Sequence, residues 1–393
     1  MIRMIPYGRQ DISQDDIDAV VNVLRSDFLT QGPVVPLFEK TVSGYCGAKH
    51  AVAVNSATSA LHIACLALGV GKGDVVWTTP ITFVASANCA LYCGAEADFV
   101  DIDPRTYNMS VERLAEKLAE AEKAGRLPRV VIPVHLCGQS CDMAGIHALS
   151  RQYGFKIIED ASHAIGGRYH DEPIGNCRYS DITVFSFHPV KIITTGEGGM
   201  ALTNDGQLAK RMRLLRSHGI TVEAADMHAR AAEEIWNYQQ TDLGFNYRMT
   251  DIHAALGLSQ MKRLDEFVTR RHALAKRYDE ALSNLPLVTP WQHPDGYSSY
   301  HLYVVRLKPD KIERTHREIY EELRAAGILV NLHYIPVYRQ PYYEAKGFNA
   351  SYCPQAEQYY SEVLSLPLYP LLSGEQIDYI IDSLESILFT KQI

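Results

Sequence analysis

Val184-Phe-Ser186-Phe-His-Pro-Val-Lys191-Ile-Ile-Thr-Thr-Gly196-Glu-Gly-Gly199 is an apolar strand running into a lysine and then a glycine-rich turn. A lysine that follows a strand is usually solvated. This one is flanked by apolar sequence on one side and by a tight turn on the other. Burial and a nearby cationic group would lower its pKa from about 10.4 and make the amine a nucleophile. Ser186 lies five residues earlier, within reach of a phosphate bound beside the lysine. The turn Gly196-Glu-Gly-Gly199 says little by itself.

Two upstream segments give the lysine a context. Phe155-Lys-Ile-Ile-Glu-Asp160-Ala-Ser-His163 reads as a strand ending in two carboxylates. Ligands of open α/β sheets sit at the carboxyl ends of strands, where Asp160 could pair with a protonated pyridine nitrogen. An acidic strand-end cap is the plainer reading, and His163 alone reads equally as a satisfied histidine. Asn55-Ser-Ala57-Thr58-Ser-Ala-Leu reads as a helix start. Its free N–H groups suit a phosphate, though an ordinary N-cap has the same look. The order is the informative part: helix start, strand-end aspartate, then lysine about 30 residues on. A pyridoxal cofactor needs a covalent lysine, a ring carboxylate and a phosphate cradle.

Outward from these segments, Val75-Val-Trp, Ala97-Asp-Phe-Val, Val130-Val-Ile-Pro-Val and Ile182-Thr-Val-Phe-Ser-Phe are short apolar runs separated by polar or helix-like stretches. That alternation predicts βαβ units with a mostly parallel sheet. Ser13 predicts an N-cap ahead of Ile17, Val20, Val21 and Leu24. From Asp251 the spacing predicts one long helix to about Leu282. A smaller α+β unit follows, with capping boxes at Thr315/Glu318 and Ser373/Gln376, a helix stop at Gly327 and a strand Ile328-Leu-Val-Asn-Leu332. The expected division is a large domain over 14–254, and a small domain over 255–393 joined by the arm 1–13.

The 393 residues are 47% hydrophobic and carry a net charge of -8, enough for a sizeable core and unlike a nucleic-acid surface. No leader-like or membrane-spanning run is read. Eight cysteines without a CxxC read as free thiols in a reducing cytoplasm. Cys137/Cys141 beside His135 lacks zinc-type spacing, so no metal site is expected.

Asn55-Ser-Ala-Thr-Ser-Ala-Leu, Thr79-Pro-Ile-Thr-Phe83-Val-Ala-Ser-Ala-Asn, Glu159-Asp-Ala-Ser-His-Ala, Phe185-Ser-Phe-His-Pro-Val-Lys and Leu243-Gly-Phe-Asn246-Tyr-Arg-Met-Thr resemble the DegT/DnrJ/EryC1/StrS nucleotide-sugar aminotransferases over almost the whole chain. The resemblance implies a type I pyridoxal 5'-phosphate-dependent fold (aspartate aminotransferase-like) and a homodimer with shared active sites. It implies that Lys191 carries the cofactor as a Schiff base and moves the proton, and that Asp160 holds the pyridine nitrogen. His163 would lie beside the ring and Phe83 on its face. Ala57, Thr58 and Ser186 would hold the phosphate, and Asn246 would reach the phosphate of the neighbouring subunit's cofactor.

Within that family the chain is similar to the C4 aminotransferases of pseudaminic-acid biosynthesis. It shares Tyr7, Ser26-Asp27-Phe28-Leu29-Thr30-Gln-Gly, His301-Leu-Tyr and Gly327-Ile-Leu-Val-Asn331-Leu332-His333-Tyr334-Ile-Pro-Val-Tyr. That likeness implies a UDP-linked L-arabino 4-keto sugar as substrate and L-glutamate as donor. Tyr7, Asp27 to Thr30 and Asn331 to Tyr334 would line the sugar-nucleotide site. The rival substrates are the D-xylo epimer and other 3- or 4-keto sugars. A sugar dehydratase of the same fold would carry histidine in place of Lys191. A cofactor-binding regulator or a cofactor-free α/β binding module are the non-enzyme readings.

Overall fold

The computed structural model describes residues 4–228 and 236–389. Its centre is a seven-stranded sheet. The strands in chain order are β1 (His50–Val54), β2 (Val75–Thr78), β3 (Glu96–Phe99), β4 (Val130–Ile132), β5 (Lys156–Asp160), β6 (Ile182–Ser186) and β7 (Gly199–Thr203). Their spatial order is β1-β7-β6-β5-β4-β2-β3. β7 pairs antiparallel with both β1 and β6, and the pairs from β6 to β3 are all parallel. The sheet is mostly parallel, as expected, with one reversed strand. The glycine-rich turn after Lys191 folds the chain straight back beside β6, which leaves no room for a crossover helix.

Both sheet faces are buried. Alternate residues of β6 serve separate cores: Ile182 and Val184 pack with Val54, Leu61 and Ile158, while Phe185 packs with Phe38, Met200 and Leu264. Such two-sided burial is why these strands read as continuous apolar runs.

The helices that matter below are α1 (Gln14–Leu24), α2 (Ala57–Ala67), α3 (Ala85–Tyr92), α4 (Asp251–Met261) and α5 (Leu264–Leu282). Ser13 caps α1 in a full capping box with Asp16. The expected single helix from Asp251 is two, α4 and α5, broken at Lys262-Arg263. No glycine or proline marks the break. Arg263 instead turns its guanidinium to Asp16 at 2.9 Å and Asp11 at 3.3 Å, which pins the N-terminal segment to the joint.

Further along, α5 leaves the sheet's core for a second one. Leu274, Tyr278 and Leu282 pack with Tyr303, Val305, Leu366 and Ile380 around the antiparallel strands Leu287–Val288, Tyr303–Leu307 and Val363–Leu366. Arg271, fully buried, staples this junction by donating to the carbonyls of Tyr300, His301 and Leu368 at 2.9–3.1 Å. Both expected capping boxes of this region form.

The expected strand from Ile328 is shorter than read. Only Ile328–Leu329 is a strand, pairing in parallel with Ile5–Pro6. Asn331 makes an isolated bridge to Ser365, and the chain then turns away. The arm continues into Tyr7, whose carbonyl accepts from the Leu368 N–H at 3.0 Å. Among the described residues no helix is long and apolar enough to cross a membrane.

Candidate active site

A cavity of about 700 Å³ opens at the carboxyl ends of β5 and β6. Its lining includes Tyr7, Ala57, Thr58, Phe83, Asp160, His163, Ser186, Lys191 and Asn331 to Tyr334. Residues that the sequence scatters over more than three hundred positions meet there.

The floor follows from strand register. Ser186, the last residue of β6, sits opposite Gly199 of β7, and Gly199 in turn sits opposite Val54 of β1. The chain after Val54 passes Asn55 and enters α2, capped by the Ser56 hydroxyl on the Ser59 N–H. A Cβ on Gly199 would stand 2.4 Å from the Ala57 nitrogen and 2.5 Å from the Ser56 carbonyl carbon. Only glycine lets the helix start approach the sheet this closely. The N–H groups of the first turn are left facing the cavity beside Ser186, a donor set suited to a phosphate.

Asp160 ends β5 and is buried, 4% exposed. Its Oδ1 accepts from the Ser162 N–H at 3.1 Å and its Oδ2 from the Ser86 hydroxyl at 2.6 Å. Its neighbour Glu159 points to the opposite face of the strand. There it meets His135 Nε2 at 2.8 Å, the Thr183 hydroxyl at 3.1 Å and Ser180. His135 Nδ1 accepts from the Cys141 N–H, so this histidine is fully engaged in packing the back of the site. Of the two adjacent carboxylates, only Asp160 serves the cavity.

Lys191 follows β6 on a turn closed by its own N–H to the His188 carbonyl and by Thr195 N–H to Phe187. Burial pushes the amine down to about 8 against the opposing pull of the Asp160 carboxylate. The neutral amine is therefore more populated near neutral pH than in a solvated lysine. That makes it a usable nucleophile and proton carrier.

The opposite wall is uncharged. His163 Nδ1 accepts from the Cys137 N–H at 3.2 Å, so its proton resides on Nε2, 3.3 Å from the Tyr334 hydroxyl oxygen. Burial, with Lys191 and His333 nearby, holds this imidazole well below its usual range. With its oxygen accepting from His163, Tyr334 keeps its own proton to donate into the cavity. His333 accepts from the Asn331 amide at Nε2 and donates from Nδ1 to Ser365 at 2.8 Å. Burial, reinforced by Lys191, holds it down to about 3. Tyr7 lies against His333, ring centroids 5.0 Å apart.

Two groups of expected site residues lie outside this cavity. Asp27 to Thr30 form an exposed loop after α1, held by a Thr30–Thr250 bridge and by the Asp251 N–H on the Leu29 carbonyl. Asn246 is exposed on a loop bridged to Ser217, with its carbonyl 3.5 Å from the Asn55 side-chain nitrogen. Conversely, the cavity includes Thr82, Ser86, Ser162, Glu197 and Gln340, which the sequence reading did not single out.

The pattern that defines the DegT/DnrJ/EryC1/StrS aminotransferase family matches residues 10–385. The spore coat polysaccharide biosynthesis protein SpsC of Bacillus subtilis is 40% identical, the match covering 98% of this chain and 97% of that one. The UDP-4-amino-4,6-dideoxy-N-acetyl-beta-L-altrosamine transaminase of Campylobacter jejuni is 38% identical, with 98% of each chain covered. Among solved structures, Helicobacter pylori PseC, an aminotransferase of pseudoaminic-acid biosynthesis, superposes with a TM-score of 0.89 at 31% identity, covering 98% of this chain and 99% of that one. A Streptococcus pneumoniae sugar aminotransferase, Spr1654, is similar in both its PLP and PMP forms, at TM-scores of 0.87 and 0.88. Those matches are 30% and 31% identical and cover 98% of each chain.

Proposed function

The chain belongs to the DegT/DnrJ/EryC1/StrS aminotransferase family, whose cofactor is pyridoxal 5'-phosphate, and from that premise we propose its substrates. It moves an amino group from L-glutamate to C4 of a UDP-linked 4-keto-6-deoxy-N-acetylhexosamine. The preferred sugar is the L-arabino 4-ulose of pseudaminic-acid biosynthesis, and the product is the corresponding 4-amino-altrosamine. The observation that carries this reading is the pairing of two unlike walls. Lys191 and Asp160 face a neutral surface of Tyr7, Asn331, His333 and Tyr334 across one cavity. Neutral donors and acceptors suit sugar hydroxyl and carbonyl groups. The transaminase name carried by the Campylobacter relative supports the same substrate.

Pyridoxal phosphate, when bound, supplies the aldehyde and the electron-sink ring that carry the amino group between the two substrates. The protein's own groups do the rest. The Ala57 and Thr58 N–H groups and the Ser186 hydroxyl would hold the phosphate. Asp160 would pair with the ring nitrogen, Phe83 would cover a ring face and His163 would lie beside the ring. Lys191 would hold the aldehyde end, and its amine would take a proton from the glutamate α-carbon and return one to C4 of the sugar.

Asp27 to Thr30 and Asn246 serve the cavity of a second subunit in a homodimer. Their exposure supports this, as does that of Phe28 (54%), Leu29 (47%) and Leu243 (75%), apolar side chains that an interface would cover. The eight unpaired cysteines fit a cytoplasmic setting.

The deciding experiment loads the protein with pyridoxamine phosphate and adds the L-arabino 4-keto sugar or its D-xylo epimer. Return of the visible absorbance with the L-arabino sugar alone supports the reading. Return with the D-xylo sugar alone overturns the substrate and keeps the activity.

A further inference from the structure

The hydroxyl side chains of Thr82 and Ser86 belong to no role described so far, although both are buried at the cavity, at 3% and 1% exposure. Ser86 Oγ is 2.6 Å from Asp160 Oδ2 and 2.8 Å from Thr82 Oγ1. An ionised carboxylate only accepts hydrogen bonds. The single Ser86 proton is therefore committed to Asp160, and the contact to Thr82 must have Thr82 as donor. The chain of donors has one direction: Thr82 to Ser86 to Asp160.

A serine near the start of a helix ordinarily bonds to a carbonyl a turn away. Ser86 reaches across 74 positions of sequence to the end of β5 instead. Its bond is charge-assisted, and the second hydroxyl polarises it further. With the Ser162 N–H on Oδ1, the two carboxylate oxygens are gripped from two different segments. That fixes the plane of the carboxylate and still leaves each oxygen a free lone pair. The Ser86 N–H donates to the Phe83 carbonyl at 3.2 Å, so one turn of chain carries both the aromatic assigned to the ring face and the carboxylate's partner.

We infer that Ser86, backed by Thr82, is the positioning residue that holds the Asp160 carboxylate aimed at the cofactor's ring nitrogen. The inference rests on the cofactor assignment above. It predicts a loss of ring electronics and leaves substrate binding untouched.

The test compares the loaded wild-type enzyme with Ser86→Ala, Ser86→Thr and Thr82→Val. Three quantities are read: the dissociation constant for pyridoxal phosphate by fluorescence, the pH midpoint of the bound cofactor's visible band, and kcat and KM of the glutamate half-reaction. Removing a hydrogen bond to a charged group should slow the Ser86→Ala half-reaction about tenfold and move the band midpoint by about one pH unit. KM for glutamate should stay within about twofold. Ser86→Thr should restore both, and Thr82→Val should move both in the same direction by about threefold or less.

Wild-type midpoint and rate in Ser86→Ala overturn the inference while the enzyme's activity stands. So does a loss that Ser86→Thr fails to restore. If Ser86→Ala does not fold, Thr82→Val decides, and an unchanged midpoint there overturns the inference. A wild-type protein that takes up no cofactor overturns this inference and the proposed function together.

Discussion

The two walls of the cavity are built on different physical terms. The wall that holds Lys191, Asp160 and Ser186 stands on strand ends of a sheet buried on both faces, and its reactive groups carry or can carry charge. The wall of Tyr7, His163, His333 and Tyr334 comes from loops and the N-terminal arm. Its imidazoles are held neutral by burial, and hydrogen bonds fix each tautomer. Chemistry on a charge needs a rigid and low-dielectric mount. Recognition of an uncharged sugar needs donors and acceptors of settled direction, and hydrogen-bonded loops provide those. One wall should govern rate and the other selection.

That division can be broken by substitution. Lys191→Ala should cut both half-reactions by at least about ten-thousandfold, and borohydride should no longer fix the cofactor to the chain, as mass spectrometry would show. Asp160→Asn keeps the shape and removes the charge. It should slow the glutamate half-reaction about a thousandfold in stopped-flow absorbance while the protein still folds.

Acid should act on the other wall. His333 is held neutral in the fold down to about pH 3, whereas the unfolded chain takes up its proton near pH 6.5. Below that pH the unfolded state binds more protons, so stability is complete above about 6.5 and is lost progressively toward 3. The loss reaches about 2 kcal/mol at pH 5 for this one residue. His333→Gln should flatten the fall of Tm with pH between 6.5 and 5, and an equally steep fall would show that the imidazole is not the sensor.

The smallest effect is the most discriminating one. Tyr334→Phe should raise KM for the keto sugar about tenfold, about 1.4 kcal/mol, with the glutamate half-reaction within about twofold. An equal fall in both half-reactions would erase the distinction between the walls.

The first wall was legible in the sequence because each of its parts is local. Lys191 follows an apolar run, Asp160 ends one, and Ser56 opens a helix, all within reach of short-range patterns. Gly199 reads as a turn residue, and its tight approach to the Ser56–Ala57 peptide appears only when β1, β7 and β6 lie side by side. Ser86 was silent because its partner lies 74 positions away. The second wall was half legible. Asn331 to Tyr334 were picked out, but as a continuing strand, because nothing in their apolar spacing announces that the chain leaves the Ile5–Pro6 pairing after Leu329. The break between α4 and α5 was invisible for a related reason: it is made by Arg263 reaching two aspartates near the N-terminus, with no helix breaker involved.

The pairing of Ile5–Pro6 with Ile328–Leu329 also sets a timetable for biosynthesis. The arm leaves the ribosome first, and its partner strand follows more than three hundred residues later. At about 5–20 residues per second, that is a wait of roughly twenty seconds to a minute. Ile5, almost fully buried in the finished fold, lacks its paired strand on the nascent chain during that interval. The strand ends that carry Asp160 and Ser186 can come together on the emerging polypeptide well before Asn331 to Tyr334 exist.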